Sequence, residues 1–320
     1  MCTAVAWKQY FGRNLDLEHG YGEQITVTPR NYPLNFRRMP TVEHHYAIIG
    51  MAHPEDGYPL YYDGTNERGL SLAALNFPGN TVYDTYREEK DNIAPFELPL
   101  WLLGRCACVE EAEALLRRIN LLQLPFSPKL PLTPLHWLVA DSRRSIVVEH
   151  LVDGIKIMDN QFHVLTNNPP FPWHETNMAN YMHLTNKPAA NRWPLPQEAY
   201  SRGMGAMGLP GDLSSASRFV KAAFTRCHAV AGKTEEENVS QFFHMLRAVE
   251  QQRGCVELQS GVYEITRYSS CCNGETGVYY YATYDNPQIT AVDLRREDLN
   301  GDAPVFYPLL QNLNIKIQNE

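Results

Sequence analysis

Seven cysteines stand at positions 2, 106, 108, 227, 255, 271 and 272, and the first differs in kind from the rest. If Met1 is removed, Cys2 becomes the first residue and carries a free α-amino group beside its thiol, with reference pKa values of ~7.7 to 8.0 and ~8.5. A nucleophile and a general base then share one residue, which is what covalent attack on a carbonyl needs. Taken alone, a cysteine at position 2 is better read as incidental, so its neighbours must decide. The odd count, without the density or spacing of a secreted framework, reads as reduced thiols. Cys106-Ala-Cys108, Cys227-His228 and Cys271-Cys272 lack a second pair at zinc-finger spacing, so neither a metal nor another cofactor is expected.

Other motifs resemble chemistry without its context. Gly203-Met-Gly205-Ala-Met-Gly208 matches the dinucleotide glycine pattern, but Pro194, Pro196 and Pro210 crowd it where a strand and a helix should flank a phosphate-binding turn. His174-Glu175 starts like a zincin helix, yet Met178 occupies the place of the second histidine. No Gly-x-Ser-x-Gly occurs.

The elements that must position Cys2 begin at once. Residues 2–7 and 10–17 alternate loosely around Lys8-Gln9, which predicts an amino-terminal hairpin. Pairing about residue 9 sets Cys2 across from Asp16, and strict alternation then turns Arg13 to the other face unless a bulge or twist intervenes. Strands are predicted over 23–28, 46–52, 59–63, 69–75, 135–140, 145–151, 162–166, 261–268, 277–283 and 288–294. Helical spacing appears over 109–119, 215–231 and 235–250, the last opened by the capping box Thr234-x-x-Glu237. Between them lies a proline-rich stretch, with prolines at 125, 128, 131 and 134 and leucines at 122, 124, 130 and 132. It reads as an ordered loop able to wall an apolar site.

The chain has 320 residues, a formal net charge of −8 and no block of Lys or Arg, which argues against nucleic-acid or anionic-membrane partners. No apolar run approaches the ~18 to 20 residues of a membrane helix. Lys8 and Arg13 interrupt what would be the core of a signal peptide, so the cytoplasm is the expected compartment. Without repeats or a linker, residues 1–320 read as a single mixed domain of helices on antiparallel sheets.

Six runs occur in order: Met-Cys2-Thr, Phe11-Gly-Arg13-Asn14-Leu-Asp16, Pro29-Arg-Asn-Tyr-Pro33, Leu75-Asn76-Phe-Pro78, Leu165-Thr-Asn167-Asn168-Pro169, and Gly208-Leu-Pro-Gly-Asp212 through Ser217-Arg218-Phe219. Together they resemble the choloylglycine hydrolase family of amino-terminal-nucleophile hydrolases, which holds bile salt hydrolases and penicillin V acylases. The similarity runs from Cys2 to Tyr284-Asp285-Asn286 and includes Leu135-His-Trp-Leu-Val-Ala-Asp141. It implies an α+β fold, a four-layer αββα sandwich of two mainly antiparallel sheets flanked by helices, commonly assembled as a homotetramer. It also implies catalytic roles for Cys2, Arg13, Asp16, Asn76, Asn167 and Arg218, with Met1 removed. Asn76 occupies a position that favours the bile salt branch over the penicillin V acylases, where tyrosine stands.

The implied reaction is cleavage of the amide joining a bile acid to glycine or taurine, through a Cys2 thiolate and a thioester, with amine acyl transfer as a secondary activity. Asn167 and Asn76 are the expected oxyanion donors. Arg13 and Arg218 would keep the surroundings of Cys2 electropositive. Arg13, Asn76, Leu15 and Tyr62, with Tyr61 and the loop from Leu122 to Pro134, are expected to contact the substrate. The residues alone also allow Arg218 to be solvated and Asn167 to be a turn residue before Pro169. A penicillin V acylase and a non-catalytic ligand-binding homologue are the alternative readings.

Overall fold

Cys2–Trp7 (β1) and Tyr10–Leu17 (β2) form a hairpin whose residues are buried, on both faces, almost throughout. In the computed structural model, which describes residues 1–319, the turn is the two-residue Lys8-Gln9 with Lys8 at φ 57°. Trp7 therefore pairs with Tyr10, and the register places Cys2 opposite Leu15 and Ala4 opposite Arg13. The sequence reading, which centred the turn on residue 9, is one residue out. Because side chains alternate with period two, that slip exchanges the faces: Arg13 shares the face of Cys2 with no bulge, and Asp16 lies on the other.

The chain continues through β3 (Gln24–Thr28), β4 (Ile48–Glu55), β5 (Tyr58–Asn66), β6 (Ser71–Asn76) and β7 (Asp91–Ile93). The helices α1 (Leu98–Leu103) and α2 (Val109–Leu116) follow, then β8 (Ile119–Leu121), β9 (Leu135–Ala140), β10 (Ser145–Leu151), β11 (Gly154–Asp159) and β12 (Val164–Leu165). Next come α3 (Phe171–Met178), α4 (Ser215–His228) and α5 (Glu235–Arg247). The chain closes with β13 (Glu257–Gln259), β14 (Val262–Tyr263), β15 (Ile265–Asn273), β16 (Val278–Thr283), β17 (Thr290–Asp293) and β18 (Val305–Pro308).

Two large antiparallel sheets result. One has the order β12-β1-β2-β15-β16-β17 and the other β11-β10-β9-β6-β5-β4-β3-β18. One core joins the facing sides of both sheets and runs on beneath α4 and α5, with Val5, Phe11, Met51, Leu138, Phe219 and Phe242 among its members. A second core lies between the outer face of the eight-stranded sheet and α1 and α2, built on Ile48, Leu72, Trp101, Leu116 and Val148. The order helix, sheet, sheet, helix is the expected αββα sandwich. Burial on both faces explains why β1 and β10 read as continuous apolar runs rather than alternating ones. Gly12 sets the closeness of β2 to β15, since a Cβ there would lie 1.9 Å from the Ser270 carbonyl oxygen.

Several boundaries differ from expectation. The strand read at 261–268 runs over 265–273 instead, because Gly261 closes a separate small hairpin of β13 and β14. The helix read to 119 stops at Leu116, and Ile119 opens β8. The capping box forms as read: the Glu237 amide donates to Thr234 Oγ1 at 3.3 Å, and the Thr234 amide donates to Glu237 Oε2 at 3.2 Å. Among the described residues, no helix is long and apolar enough to cross a membrane.

Candidate active site

Where β12 stops, the backbone of β1 loses its neighbour. β12 pairs only with Ala4 and Val5, so the outward N–H and C=O of Cys2 fall beyond its end. Side chains take over: the Cys2 amide donates to Asn167 Oδ1 at 2.8 Å, and Arg218 Nη1 donates to the Cys2 carbonyl oxygen. Arg218 Nη1 also donates to Thr3 Oγ1 at 2.7 Å and Nη2 to Asn167 Oδ1 at 2.8 Å, while Nε reaches the Leu213 carbonyl at 3.0 Å. Arg218 is fully buried and Asn167 nearly so. The solvated reading of Arg218 and the simple-turn reading of Asn167 are thereby excluded, since both side chains meet at Cys2.

Sequence brings Arg218 there because Ser214 caps α4, its hydroxyl accepting from the Ser217 amide, and places Arg218 in the first turn. Asp212 reinforces the start by accepting from the Ser214 amide at 3.0 Å and from the Ser217 hydroxyl, and the Ser214 and Ser217 side chains, with that amide, lower its carboxyl to about 2.

Asn167 is also the link to the opposite sheet. Its Nδ2 donates to the Asn76 carbonyl at the end of β6, 2.7 Å away. An amide nitrogen carries two hydrogens, so one donor remains for another acceptor.

Arg13 stands on the Cys2 face. Its Nη1 donates to the carbonyls of Tyr62 and Ala74, and its backbone N–H to Ser270 Oγ. Nη2 is buried without a partner. Desolvation opposes its charge, but Cys2, Tyr268, Asp63 and Asp16 outweigh it, so the guanidinium is held more firmly protonated than usual. Behind it lies Asp63, which the sequence reading missed; it accepts from Tyr268 and Tyr279 hydroxyls at 2.7 and 2.6 Å across the two sheets. Only tertiary packing joins those three residues, so no local signal marked them.

Asp16, on the other face of β2, accepts from Thr266 Oγ1 at 2.6 Å, and its Oδ2 is buried without a partner. Burial raises its carboxyl, while Arg218, the chain's terminal amine, Thr266 and Arg13 pull it down. The Met1 amine lies 2.8 Å from Glu264 Oε1 and donates to the Asp16 carbonyl at 2.8 Å, making Glu264 a second carboxylate that went unread.

The Cys2 and Arg13 face opens into a cavity of about 460 Å³. Leu15, Tyr61, Tyr62 and Asn76 line it as expected, with Leu124, Pro125, Leu130, Pro131 and Leu132 of the proline-rich loop. Leu122 does not: it is buried, its amide bonded to the Ile93 carbonyl. The Tyr61 hydroxyl is turned away to Thr28 Oγ1 at 2.8 Å.

All seven cysteines are free thiols, and Cys2 is the one that combines a cavity with two buried arginines. This arrangement suits a thiol nucleophile acting on an apolar acyl group.

Comparison with known proteins bears on the family and the fold. A bile salt hydrolase/transferase of Lactiplantibacillus plantarum is 51% identical over 314 residues, 97% of each chain. A bile salt hydrolase/transferase of Clostridium perfringens is 36% identical over the full length of both. In three dimensions the crystal structure of a variant of the conjugated bile acid hydrolase from C. perfringens superposes with a TM-score of 0.91 at 35% identity, covering all of both chains. Penicillin V acylase from Agrobacterium tumefaciens shares the fold at a TM-score of 0.75 and 19% identity, over 95% of this chain and 90% of that one. The family model of linear amide C–N hydrolases, choloylglycine hydrolase family, matches residues 2–307, and the chain belongs to that family.

Proposed function

We propose that this chain is a bile salt hydrolase that cleaves the amide of glycine- or taurine-conjugated bile acids. The carrying observation is that Cys2 and Arg13 line the apolar cavity walled by Leu15, Tyr62 and the proline-rich loop. After loss of Met1, the α-amine of Cys2, kept near Asp16, takes the thiol proton, and the thiolate attacks the amide carbonyl carbon. The free N–H of Asn167 and the side-chain amide of Asn76 stabilise the oxyanion. As the C–N bond breaks, the α-ammonium returns its proton to the leaving amine. Water then attacks the thioester, and a second amine in its place gives acyl transfer. Arg13 and Arg218 supply the positive field that favours thiolate.

The reading extends to a single domain over 1–320, a homotetramer, a cytoplasmic location and no metal or other cofactor. Side-by-side turnover of taurocholate, glycocholate and penicillin V by the purified chain tests it. Preferred hydrolysis of penicillin V would make the acylase reading correct, and turnover of none would leave a ligand-binding homologue. Intact mass supplies the second arm: active protein with Met1 attached, or an active Cys2→Ala variant, defeats the mechanism.

A further inference from the structure

Behind the Thr166–Pro169 segment lies a buried group of side chains with no part in the chemistry above. His136 on β9 and Glu149 on β10 are fully buried, and His174 on α3 is 1% exposed. His136 Nε2 lies 2.9 Å from the Thr166 carbonyl oxygen, and His174 Nε2 lies 3.0 Å from the Asn167 carbonyl oxygen. A carbonyl only accepts, so both rings carry hydrogen on Nε2 and donate.

Each ring also stacks on an aromatic that follows a site residue. His136 lies on Phe77, next to Asn76, with centroids 4.1 Å apart and planes 4° apart. His174 lies on Phe219, next to Arg218, at 4.7 Å and 18°. Glu149 ties the two together: its Oε1 is 3.3 Å from His136 Nδ1 and accepts the Phe171 amide, at the start of the helix bearing His174, at 2.9 Å. Ser215 holds the remaining backbone donor of Asn167, at 2.8 Å.

Among the described residues, Asn167 alone bridges Cys2, Arg218 and Asn76, and its backbone rests on these groups. We propose that His136 and His174 are positioning residues of the amidase site, which lock the Asn167 backbone by donating to consecutive carbonyls while bracing Asn76 and Arg218 through their aromatic neighbours. This rests on the hydrolase reading, since its effect is felt in the acylation step. Neither ring touches the cavity.

The test uses His174→Phe, which keeps a ring against Phe219 and removes the donor, and His174→Gln, which restores an N–H. A displacement of Asn167 near 1 Å predicts a fall in kcat of about 100-fold for the Phe variant with little change in KM, and recovery to within about fivefold for Gln. His136→Phe and His136→Gln should repeat the pattern. Nitrogen-15 histidine spectra of the native enzyme give an arm free of folding effects: both rings should show the Nε2-protonated form. A folded Phe variant with unchanged kcat, a deficit that Gln leaves in place, or an Nδ1-only proton on either ring overturns the proposal. Absence of bile salt turnover in the wild type would instead defeat the function reading, and the spectra would still decide the geometry.

Discussion

Replacing Arg218 by methionine removes a charge from the most connected buried side chain at the site while keeping much of its bulk. The Cys2 carbonyl then loses its donor beyond the end of β12, and Asn167 Oδ1 keeps only the Cys2 amide. An unpartnered buried carbonyl costs about 1–3 kcal/mol. Asp16 and Glu264, both buried, also lose a neighbouring cation, which brings the total to about 3–5 kcal/mol. For a chain of this size the melting temperature should fall by roughly 4–8 °C.

The deficit has a sign with pH. Burial raises both carboxyls and Arg218 lowers them, so in the variant their folded pKa values climb further. A carboxyl raised on folding favours the folded state while protonated. That contribution is lost as pH rises from the unfolded value, ~4, through the folded one. The gap to wild type must therefore be wider at about pH 8 than at about pH 4.5. Differential scanning fluorimetry at the two values reads it, and taurocholate turnover should drop at least ~100-fold. Arg218→Lys keeps the charge without the fork, so the pH-dependent part should return and the rate should not. A methionine variant that melts within about 2 °C of wild type at the higher pH, or whose gap narrows there, refutes the reasoning.

Asp212→Asn should destabilise the start of α4 at neutral pH, with the difference shrinking as pH falls from ~4 through about 2, where the native carboxyl is half protonated. Melting curves against pH check this. Leu132→Trp fills the cavity wall and should raise KM for taurocholate by about tenfold or more while melting remains close to wild type. Thr234→Ala removes one half of the α5 capping box and should cost about 0.5–2 kcal/mol in urea unfolding with unchanged turnover, since α5 begins away from the cavity.

The two strands of the hairpin, the capping box and the amphipathic helices were legible because each depends on neighbours a few residues away. Apolar spacing in Val239, Phe242, Phe243 and Leu246 states which face of α5 is buried whatever lies beneath it. The ordered runs around Cys2, Arg13, Asn167 and Arg218 likewise marked the candidate site residues and the family. The register of the first hairpin was not legible, because a turn of two residues and one centred on residue 9 suit the same alternation. Their choice decides whether Arg13 or Asp16 shares a face with Cys2.

Residues 2, 167 and 218 are remote in sequence, and nothing in their spacing says that β12 ends at Leu165. Yet it is this early end that leaves the Cys2 backbone to Asn167 and Arg218. Asp63 beneath Arg13, Glu264 beside the amino terminus, and His136 and His174 behind Asn167 were hidden for the same reason. A buried polar group is placed by the partners that satisfy it, and those partners come from strands and helices that only the packed sandwich brings together. Residue types supplied the chemistry available to the chain, and the closing of two sheets on each other chose which of those groups meet.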